Sequence, residues 1–212
     1  DTVGGLNAAF DVIVLPDVSK EVIATGRPKR DEGAMRYFPE LPTEYAGGLD
    51  KEGAAALKAF VEGGGTLVAL SSATEYVIDE LALPVRNGLA RAEGFAIAGS
   101  ILRAEVAGGH PVTDGLPSEV AVFQDEALAF ETTLPGPDME RRVLATYPSD
   151  HQDVLLSGWM RGEEAITRKA AAVALTYGKG RIVLLGFRAQ HRAQTPGTFP
   201  FLWNALYWST AE

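Results

Sequence analysis

The sequence predicts an α/β fold, in which a mostly parallel sheet lies between helices and a mixed or antiparallel extension follows it. Two apolar runs, residues 10–15 (FDVIVL) and 66–70 (TLVAL), are typical of strands buried on both faces. A helical pattern separates them, and a strand–helix–strand succession implies a parallel pair with a right-handed crossover. Residues 171–176 and 181–187, joined by a glycine-containing turn, predict a hairpin later in the chain.

The first half of the chain accounts for the parallel strands. Its first strand ends at Asp17, which we place in a turn at the carboxyl edge of the sheet. Residues 26–43 contain several prolines and glycines and are predicted to be irregular. Asp50 is a good N-cap for a helix over residues 51–62, and Gly63 is a natural stop for that helix.

The turn after the second strand is the most informative feature. Residues 66–70 lead through Ser71 and Ser72 into a helix predicted over residues 74–81. Such a turn lifts one side chain above the sheet edge, which is where α/β folds place a nucleophile. The G-x-S-x-G pattern is absent, however, and serine strongly favours the N-cap of a helix. We therefore predict helix capping, with a nucleophilic serine as the alternative.

The second half predicts shorter strands over residues 101–106, 120–123 and 143–147, connected by segments rich in glycine and proline. The hairpin follows, and an apolar helix over residues 198–209 closes the chain. There is no internal repeat and no low-complexity segment. Residues 1–212 are therefore predicted to form a single domain.

Composition excludes several classes of function. The formal charge of −9 argues against a nucleic-acid partner, which would require a basic surface. No apolar run approaches the roughly 18 residues needed to cross a bilayer, so no membrane span is expected. The absence of cysteine excludes disulfides, thiolate metal sites and a cysteine nucleophile.

Three histidines are available as a general base or metal ligand. His110 lies in a turn-rich segment, where we predict a structural hydrogen bond, and His151 lies in a polar loop. No H-E-x-x-H pattern is present, and we predict no metal site. His191 follows the strand over residues 182–187, so it should reach the same sheet edge as Ser71 if the two strands are parallel neighbours.

Polar residues are unusually dense around His191. Arg188, Gln190, Arg192 and Gln194 lie between an apolar strand and the last helix. Loops at this edge of α/β sheets commonly carry binding groups. A small polar ligand or a peptide is therefore a candidate partner, with simple hydrogen bonding within the loop as the alternative.

These segments resemble a known family. The succession FDVIVLPD, YAGGLDKEGAAALKAFVEGGGTLVALSSA, HPVTDGLP and YGKGRIVLLGFRAQHRAQTPGTFPFLWNAL is similar to the class I glutamine amidotransferase-like fold, a flavodoxin-like three-layer sandwich. More narrowly, it resembles the domain appended after the catalytic domain of certain bacterial zinc carboxypeptidases. The resemblance covers nearly the whole chain, and the YAGGL and GFRAQHR stretches are its most specific parts.

The resemblance implies roles for individual residues. The family's nucleophilic cysteine corresponds to Ser71, and the histidine of its His-Pro-Glu sequence corresponds to His191. The glutamate of that sequence corresponds to Ala193, so the group that would orient the histidine is lost. Asp17 falls in the loop that matches the family's oxyanion turn, where a negative charge disfavours an oxyanion. Glutaminase chemistry is therefore not expected.

The sequence leads to two hypotheses. The first is a non-catalytic accessory or binding domain with a degenerate amidotransferase site. The second is a serine-dependent hydrolase that uses Ser71 with His191 as base and Glu75 as a possible acid. The residues expected to line the degenerate pocket are Asp17, Ser71, Ser72, Glu75, Arg188, Gln190 and His191.

The resemblance also suggests what surrounds this domain. The parent protein would be a secreted or periplasmic metallocarboxypeptidase, with its zinc and its activity in a covalently linked peptidase domain outside residues 1–212. No cofactor is expected within residues 1–212 themselves. Domains of this kind begin one strand and helix earlier, so the first βα unit is expected to be missing. The sheet edge left uncovered would then meet a neighbouring domain or a second copy of the chain.

Overall fold

The structure is a computed structural model that describes residues 5–28 and 42–210. The irregular segment predicted over residues 26–43 therefore lies largely outside the described residues. The helices are α1 (Leu6–Ala9), α2 (Lys20–Thr25), α3 (Lys51–Glu62), α4 (Ala73–Glu80) and α5 (Phe199–Trp208). The strands are β1 (Val12–Leu15), β2 (Thr66–Leu70), β3 (Val85–Asn87), β4 (Ala96–Ile97), β5 (Ser100–Val106), β6 (Glu119–Gln124), β7 (Phe130–Thr132), β8 (Arg141–Thr146), β9 (Leu155–Ser157), β10 (Met160–Arg161), β11 (Ala170–Tyr177) and β12 (Gly180–Leu185).

Ten of these strands form one sheet, whose main path runs β1-β2-β12-β11-β8-β5-β6. The pairs β1–β2 and β2–β12 are parallel, whereas the pairs from β12 onward are antiparallel. The parallel strands at one end and the antiparallel extension at the other confirm the predicted fold class. Because β2 and β12 are parallel neighbours, the segments that follow them emerge at the same edge of the sheet, as the sequence predicts for Ser71 and His191.

Helices pack against both faces of the parallel strands. Alternate residues of β2 point to opposite sides: Leu67 belongs to a core shared with Phe60 of α3 and Val77 of α4. Val68 belongs to a second core, shared with Phe201 of α5. This arrangement is the three-layer sandwich implied by the resemblance.

The boundaries of α3 follow from its two ends. The Asp50 carboxylate accepts hydrogen bonds from the N–H groups of Glu52 and Gly53, each at 3.0 Å. It thereby satisfies two amide groups that have no partner within the helix. Gly63 is the C-cap, and Gly64 adopts a φ of 116° that disfavours other residue types. The predicted cap, helix and stop are all confirmed.

The expectation that β1 is buried on both faces is wrong. Only Leu15 of this strand is buried, while Val14 is 37% exposed and the preceding Phe10 is 54% exposed. Among the described residues, β1 ends the main path of the sheet and pairs only with β2. An apolar strand with one paired edge is therefore partly exposed in this structure.

None of the described helices has the length and apolar character that a membrane crossing requires.

The hairpin between β11 and β12 depends on a glycine where β12 begins. An ideal Cβ added to Gly180 would lie 2.0 Å from the carbonyl oxygen of Val61 and 2.4 Å from that of Gly65. Both are backbone atoms, one in the last turn of α3 and one directly before β2, so they cannot rotate away as a side chain would. The close approach of these segments therefore requires glycine at this position.

We predict that Gly180→Ala lowers the free energy of unfolding by about 2 kcal/mol or more, because the added methyl group forces apart closely packed backbone. Urea denaturation followed by circular dichroism measures this change. Gly136→Ala is the matched control, since nothing lies within 4 Å of the Cβ position at Gly136. Equal effects of the two substitutions would contradict the prediction.

Candidate functional site

Ser71 forms a sharp turn between β2 and α4. Its φ is 47°, a left-handed conformation that is uncommon for a residue with a side chain. The turn is held from both sides: the Ser71 N–H donates to the carbonyl of Leu185 at 2.8 Å, and the Thr74 hydroxyl donates to the carbonyl of Ser71 at 2.7 Å. The backbone therefore adopts the elbow that the resemblance implies, and the neighbouring strand β12 helps to fix it.

The side chain at this elbow is not presented to a substrate. Ser71 is 0% exposed, and its Oγ has no hydrogen-bond partner among the described residues. A serine nucleophile needs a base within hydrogen-bonding reach. No hydrogen bond joins Ser71 to His191 in this arrangement.

At the start of α4, a carboxylate from the loop after β1 accepts the hydrogen bond of a backbone N–H in place of the predicted serine cap. Ser72 occupies the N-cap position, but its side chain makes no capping hydrogen bond within the helix. Instead, Asp17 Oδ1 accepts from the Ser72 N–H at 3.2 Å and from the Ser72 hydroxyl at 2.9 Å. The capping prediction is wrong because the Ser72 hydroxyl is engaged by Asp17 and by Glu126, whose Oε2 lies 2.6 Å away.

Arg188 connects this turn to the far end of the sheet. Its Nε lies 2.8 Å from Asp17 Oδ2, and its Nη2 lies 2.9 Å from Asp125 Oδ2. The contact with Asp17 is an ion pair without an aligned hydrogen bond, because the Nε hydrogen does not point at the carboxylate. The Arg188 N–H also donates to the carbonyl of Phe123 in β6 at 3.1 Å. The sheet therefore curls until the end of β6 meets the loop after β12.

His191 lies beside Arg188 and stacks on Phe123. The two rings are 4.4 Å apart at an interplanar angle of 19°, and Arg188 Nη1 is 3.4 Å from His191 Nδ1. A guanidinium can only donate hydrogen bonds, so Nδ1 is assigned as the acceptor in this contact. A ring whose Nδ1 faces a cation rather than a carboxylate is not arranged as the base of a catalytic triad.

The loop after His191 has an unusual backbone. Arg192 and Ala193 adopt φ values of 49° and 56°, two consecutive left-handed residues that are not glycine. The Thr195 hydroxyl accepts from the His191 N–H at 3.1 Å and donates to the carbonyl of Ala189 at 3.1 Å. Such strain persists only where the surrounding structure holds it, and Thr195 supplies part of that support.

A cavity of about 310 Å³ opens at this edge. Its lining combines the loop after β1 with the loop after β12: Pro16, Asp17, Leu70, Arg188, Ala189, Gln190, His191 and Arg192. Four of the residues predicted for the site, Asp17, Arg188, Gln190 and His191, are thus brought together. Ser72 joins them through its hydrogen bonds to Asp17.

Glu75 is the predicted site residue that lies elsewhere. Its carboxylate accepts a hydrogen bond from Asn87 Nδ2 at 2.9 Å, and it lines a different cavity of about 840 Å³ with Lys20 and Arg86. The helical turn between Ser72 and Glu75 directs the two side chains to different surroundings. Glu75 therefore does not supply the acid that the hydrolase hypothesis requires at His191.

The sequence reasoning missed Phe123, Asp125 and Glu126. The two acidic residues follow the strand predicted over residues 120–123, and this acidic pair at a strand end was an available signal. Its relation to Arg188 was not available, because β6 lies at the opposite end of the main strand path from β1. Only the curl of the sheet brings these residues to the site.

The remaining histidines have local roles. His110 Nδ1 accepts from the Val112 N–H at 3.2 Å, which confirms the predicted structural hydrogen bond. His151 lies 3.7 Å from Asp150 at an exposed position. Within residues 5–28 and 42–210, no group of three or more His, Cys, Asp or Glu residues is arranged to hold a metal ion.

Comparison with known proteins supports the fold. No protein-family model matches the chain, and no curated protein sequence is significantly similar to it. Among solved structures, a Thermoplasma acidophilum protein described as belonging to GMP synthase has a TM-score of 0.52 at 12% identity, over 98% of this chain and 76% of that one. A ThuA-like protein of Parabacteroides merdae has a TM-score of 0.52 at 14% identity, over 99% and 75%. The β-galactosidase of Bacillus circulans has a TM-score of 0.52 at 11% identity, over 99% of this chain and 24% of that one.

These likenesses establish the architecture alone, because the sequence identities are low. The fold is glutamine amidotransferase-like, in agreement with the expectation from the sequence motifs.

We predict that Asp17→Ala lowers the free energy of unfolding by about 2 kcal/mol, because it removes a charged hydrogen-bond acceptor from Ser72 and the counter-ion of Arg188. Urea denaturation at neutral pH measures the change. Asp79→Ala is the matched control: Asp79 also pairs with a cation, Lys20, but its side chain is 60% exposed. Such a pair contributes no more than about 1 kcal/mol, so equal losses would contradict the prediction.

Proposed function

We propose that this domain is a non-catalytic binding module built on a degenerate amidotransferase-like site. The observation that carries the proposal is the state of Ser71, which occupies the nucleophile position with its hydroxyl fully buried and unpaired. The elbow backbone is retained, whereas the features that make a nucleophile reactive are absent from its surroundings.

The charges around the cavity favour binding over catalysis. Arg188 is engaged by Asp17 and Asp125, so its positive charge is not free to stabilise a developing oxyanion. Asp17 places a negative charge in the loop where the family would bind that oxyanion. The cavity nevertheless presents Gln190, His191 and Arg192 to solvent-accessible space.

A small polar ligand or a peptide fits this lining. The lining includes the amide of Gln190, the imidazole of His191 and the guanidinium of Arg192. Together these groups can both donate hydrogen bonds to a polar ligand and accept them from it. Titration with L-glutamine and with trialanine, followed by amide chemical shifts of residues 188–194, tests for such binding.

The alternative is a serine-dependent hydrolase that uses Ser71 and His191. The elbow conformation at Ser71 favours it, because a φ of 47° at that position is retained in spite of its strain. Catalysis would require the hydroxyl to become accessible and His191 to leave Arg188.

We predict that Ser71→Ala leaves the hydrolysis of p-nitrophenyl acetate and of L-glutamine unchanged from the background rate. The physical reason is that a buried hydroxyl without a base contributes nothing to attack on either substrate. Initial rates for the wild type and the variant measure this directly. A fall of tenfold or more in Ser71→Ala, with His191→Ala showing the same loss, would instead establish the hydrolase.

The wider proposal places the domain in a secreted zinc carboxypeptidase-like protein. It is supported by the YAGGL and GFRAQHR stretches, which resemble the domain appended to such enzymes. The β-galactosidase likeness adds that this fold can form about a quarter of a longer enzyme chain, since the match covers 24% of it. In this proposal the zinc and the peptidase activity belong to a linked domain.

We predict that removing this domain from the parent protein leaves kcat for a short peptide substrate unchanged, because no group of the domain takes part in the reaction. The effect should appear in KM for longer substrates or in secreted yield. Steady-state kinetics of the full-length protein with and without residues 1–212 measure both quantities. A loss of kcat on the short substrate, with the peptidase domain still folded, would exclude an accessory role.

A further inference from the structure

The hydroxyl of Ser72 lies between two carboxylates. Its Oγ is 2.9 Å from Asp17 Oδ1 and 2.6 Å from Glu126 Oε2. A serine hydroxyl carries one hydrogen and can donate it fully to one acceptor. If both carboxylates were ionised, the two short contacts would have to share that single hydrogen. One additional proton on a carboxylate would give each contact a hydrogen of its own.

Asp17 is the carboxylate with more donors around it. Its Oδ1 also accepts from the Ser72 N–H at 3.2 Å, and its Oδ2 lies 2.8 Å from the Arg188 Nε. A backbone donor and a guanidinium both stabilise the charged form of a carboxyl group. Glu126 has no comparable support, since Ser72 is its side-chain hydrogen-bond partner among the described residues. The extra proton therefore belongs on Glu126.

We infer that Glu126 is protonated in the assembled site and donates a hydrogen bond to Ser72 Oγ, which in turn donates to Asp17. This hydrogen bond joins the segment between β6 and β7 to the segments that follow β1 and β2. Ionisation of Glu126 removes it. The inference does not depend on the proposed binding function. The 2.6 Å separation of the two oxygen atoms agrees with a direct O–H···O hydrogen bond.

The surroundings of Glu126 both raise and lower the pKa of its carboxyl group. Burial raises the pKa of its carboxyl above the usual value, and the charges of Asp17 and Asp125 raise it further. A hydrogen bond donated by Ser72 lowers that pKa, and the Arg188 guanidinium lowers it further. In the proposed arrangement the Ser72 hydrogen points to Asp17 instead, so that Ser72 would stabilise the protonated form of Glu126. Because Glu126 is exposed as a whole residue, water moderates the upward shift of its pKa.

Ionisation of Glu126 would release a limited part of the chain. It would place a third negative charge beside Asp17 and Asp125, with Arg188 as the nearby cation. The segment would still be held at Ala127, whose carbonyl accepts from Asn87 Nδ2 at 2.9 Å. The expected change is therefore local to residues 124–126 and to the Ser72 turn.

The direct test is the pKa of Glu126 in the folded protein, measured by carbon-13 NMR of its side-chain carboxyl. We expect a value above the roughly 4.3 of free glutamate. The variant Ser72→Ala shows whether Glu126 or Ser72 donates the hydrogen bond between them. If Glu126 donates to Ser72, the variant removes the acceptor of its proton and the pKa falls. If Ser72 donates to an ionised Glu126, the pKa rises in the variant, and the proposal is overturned.

Stability against pH gives an independent readout. The folded protein holds the Glu126 proton more tightly than the unfolded chain, so this stabilisation is complete below the unfolded pKa and is lost as pH rises through the folded pKa. In Glu126→Gln the amide remains a donor to Ser72 at every pH. As pH rises through the folded pKa of Glu126, urea denaturation should show the folding equilibrium constant of the wild type falling relative to that of this variant. The expected fall is about tenfold for each unit by which the folded pKa exceeds the unfolded pKa.

Glu131→Gln is the control for that experiment. Hydrogen bonds from Lys169 and Arg86 lower the pKa of the Glu131 carboxyl, so its contribution is present above the unfolded pKa and is lost as pH falls through the folded pKa. The two variants should therefore change opposite limbs of the pH profile. Parallel profiles for wild type and Glu126→Gln would overturn the proposal.

Discussion

The ion pairs of Arg188 with Asp17 and Asp125 join three separate parts of the fold. Asp17 follows β1, Arg188 follows β12 and Asp125 follows β6, so one guanidinium links both ends of the main strand path. The side chains of Asp17 and Arg188 are only 20% and 29% exposed. A partly buried charge that lost its partner would be strongly disfavoured. The same guanidinium therefore holds together the ends of the curled sheet and the side chains of the site.

This arrangement supports the proposal that the site binds a ligand rather than catalyses a reaction. In an active enzyme of this general type, the nucleophile is exposed, the base is oriented by an acid, and donors face the developing charge. Here the hydroxyl of Ser71 is buried, and His191 is stacked on Phe123 beside a cation. The polar side chains of the site mostly satisfy one another. Their mutual pairing stabilises the edge of the sheet and leaves few of these groups available for a reaction.

The sequence predicted the parts of this structure that depend on local patterns. The cap at Asp50, the hairpin and the common edge of Ser71 and His191 follow from turn chemistry, apolar runs and the parallel rule, and all are observed. The contacts of Ser72 and the contribution of Glu126 could not be predicted, since they depend on how far the antiparallel strands curl. The exposure of β1 was also beyond prediction, because an apolar run does not reveal which neighbours are present to cover it.

The left-handed backbone at Arg192 and Ala193 limits which residues this loop can accept. The family that the chain resembles has a proline directly after the histidine, at the position of Arg192. Proline fixes φ near −65°, whereas Arg192 has a φ of 49°. A proline at position 192 would therefore require the main chain of the loop to change its path, so the family's sequence cannot be placed on this loop by exchanging side chains alone.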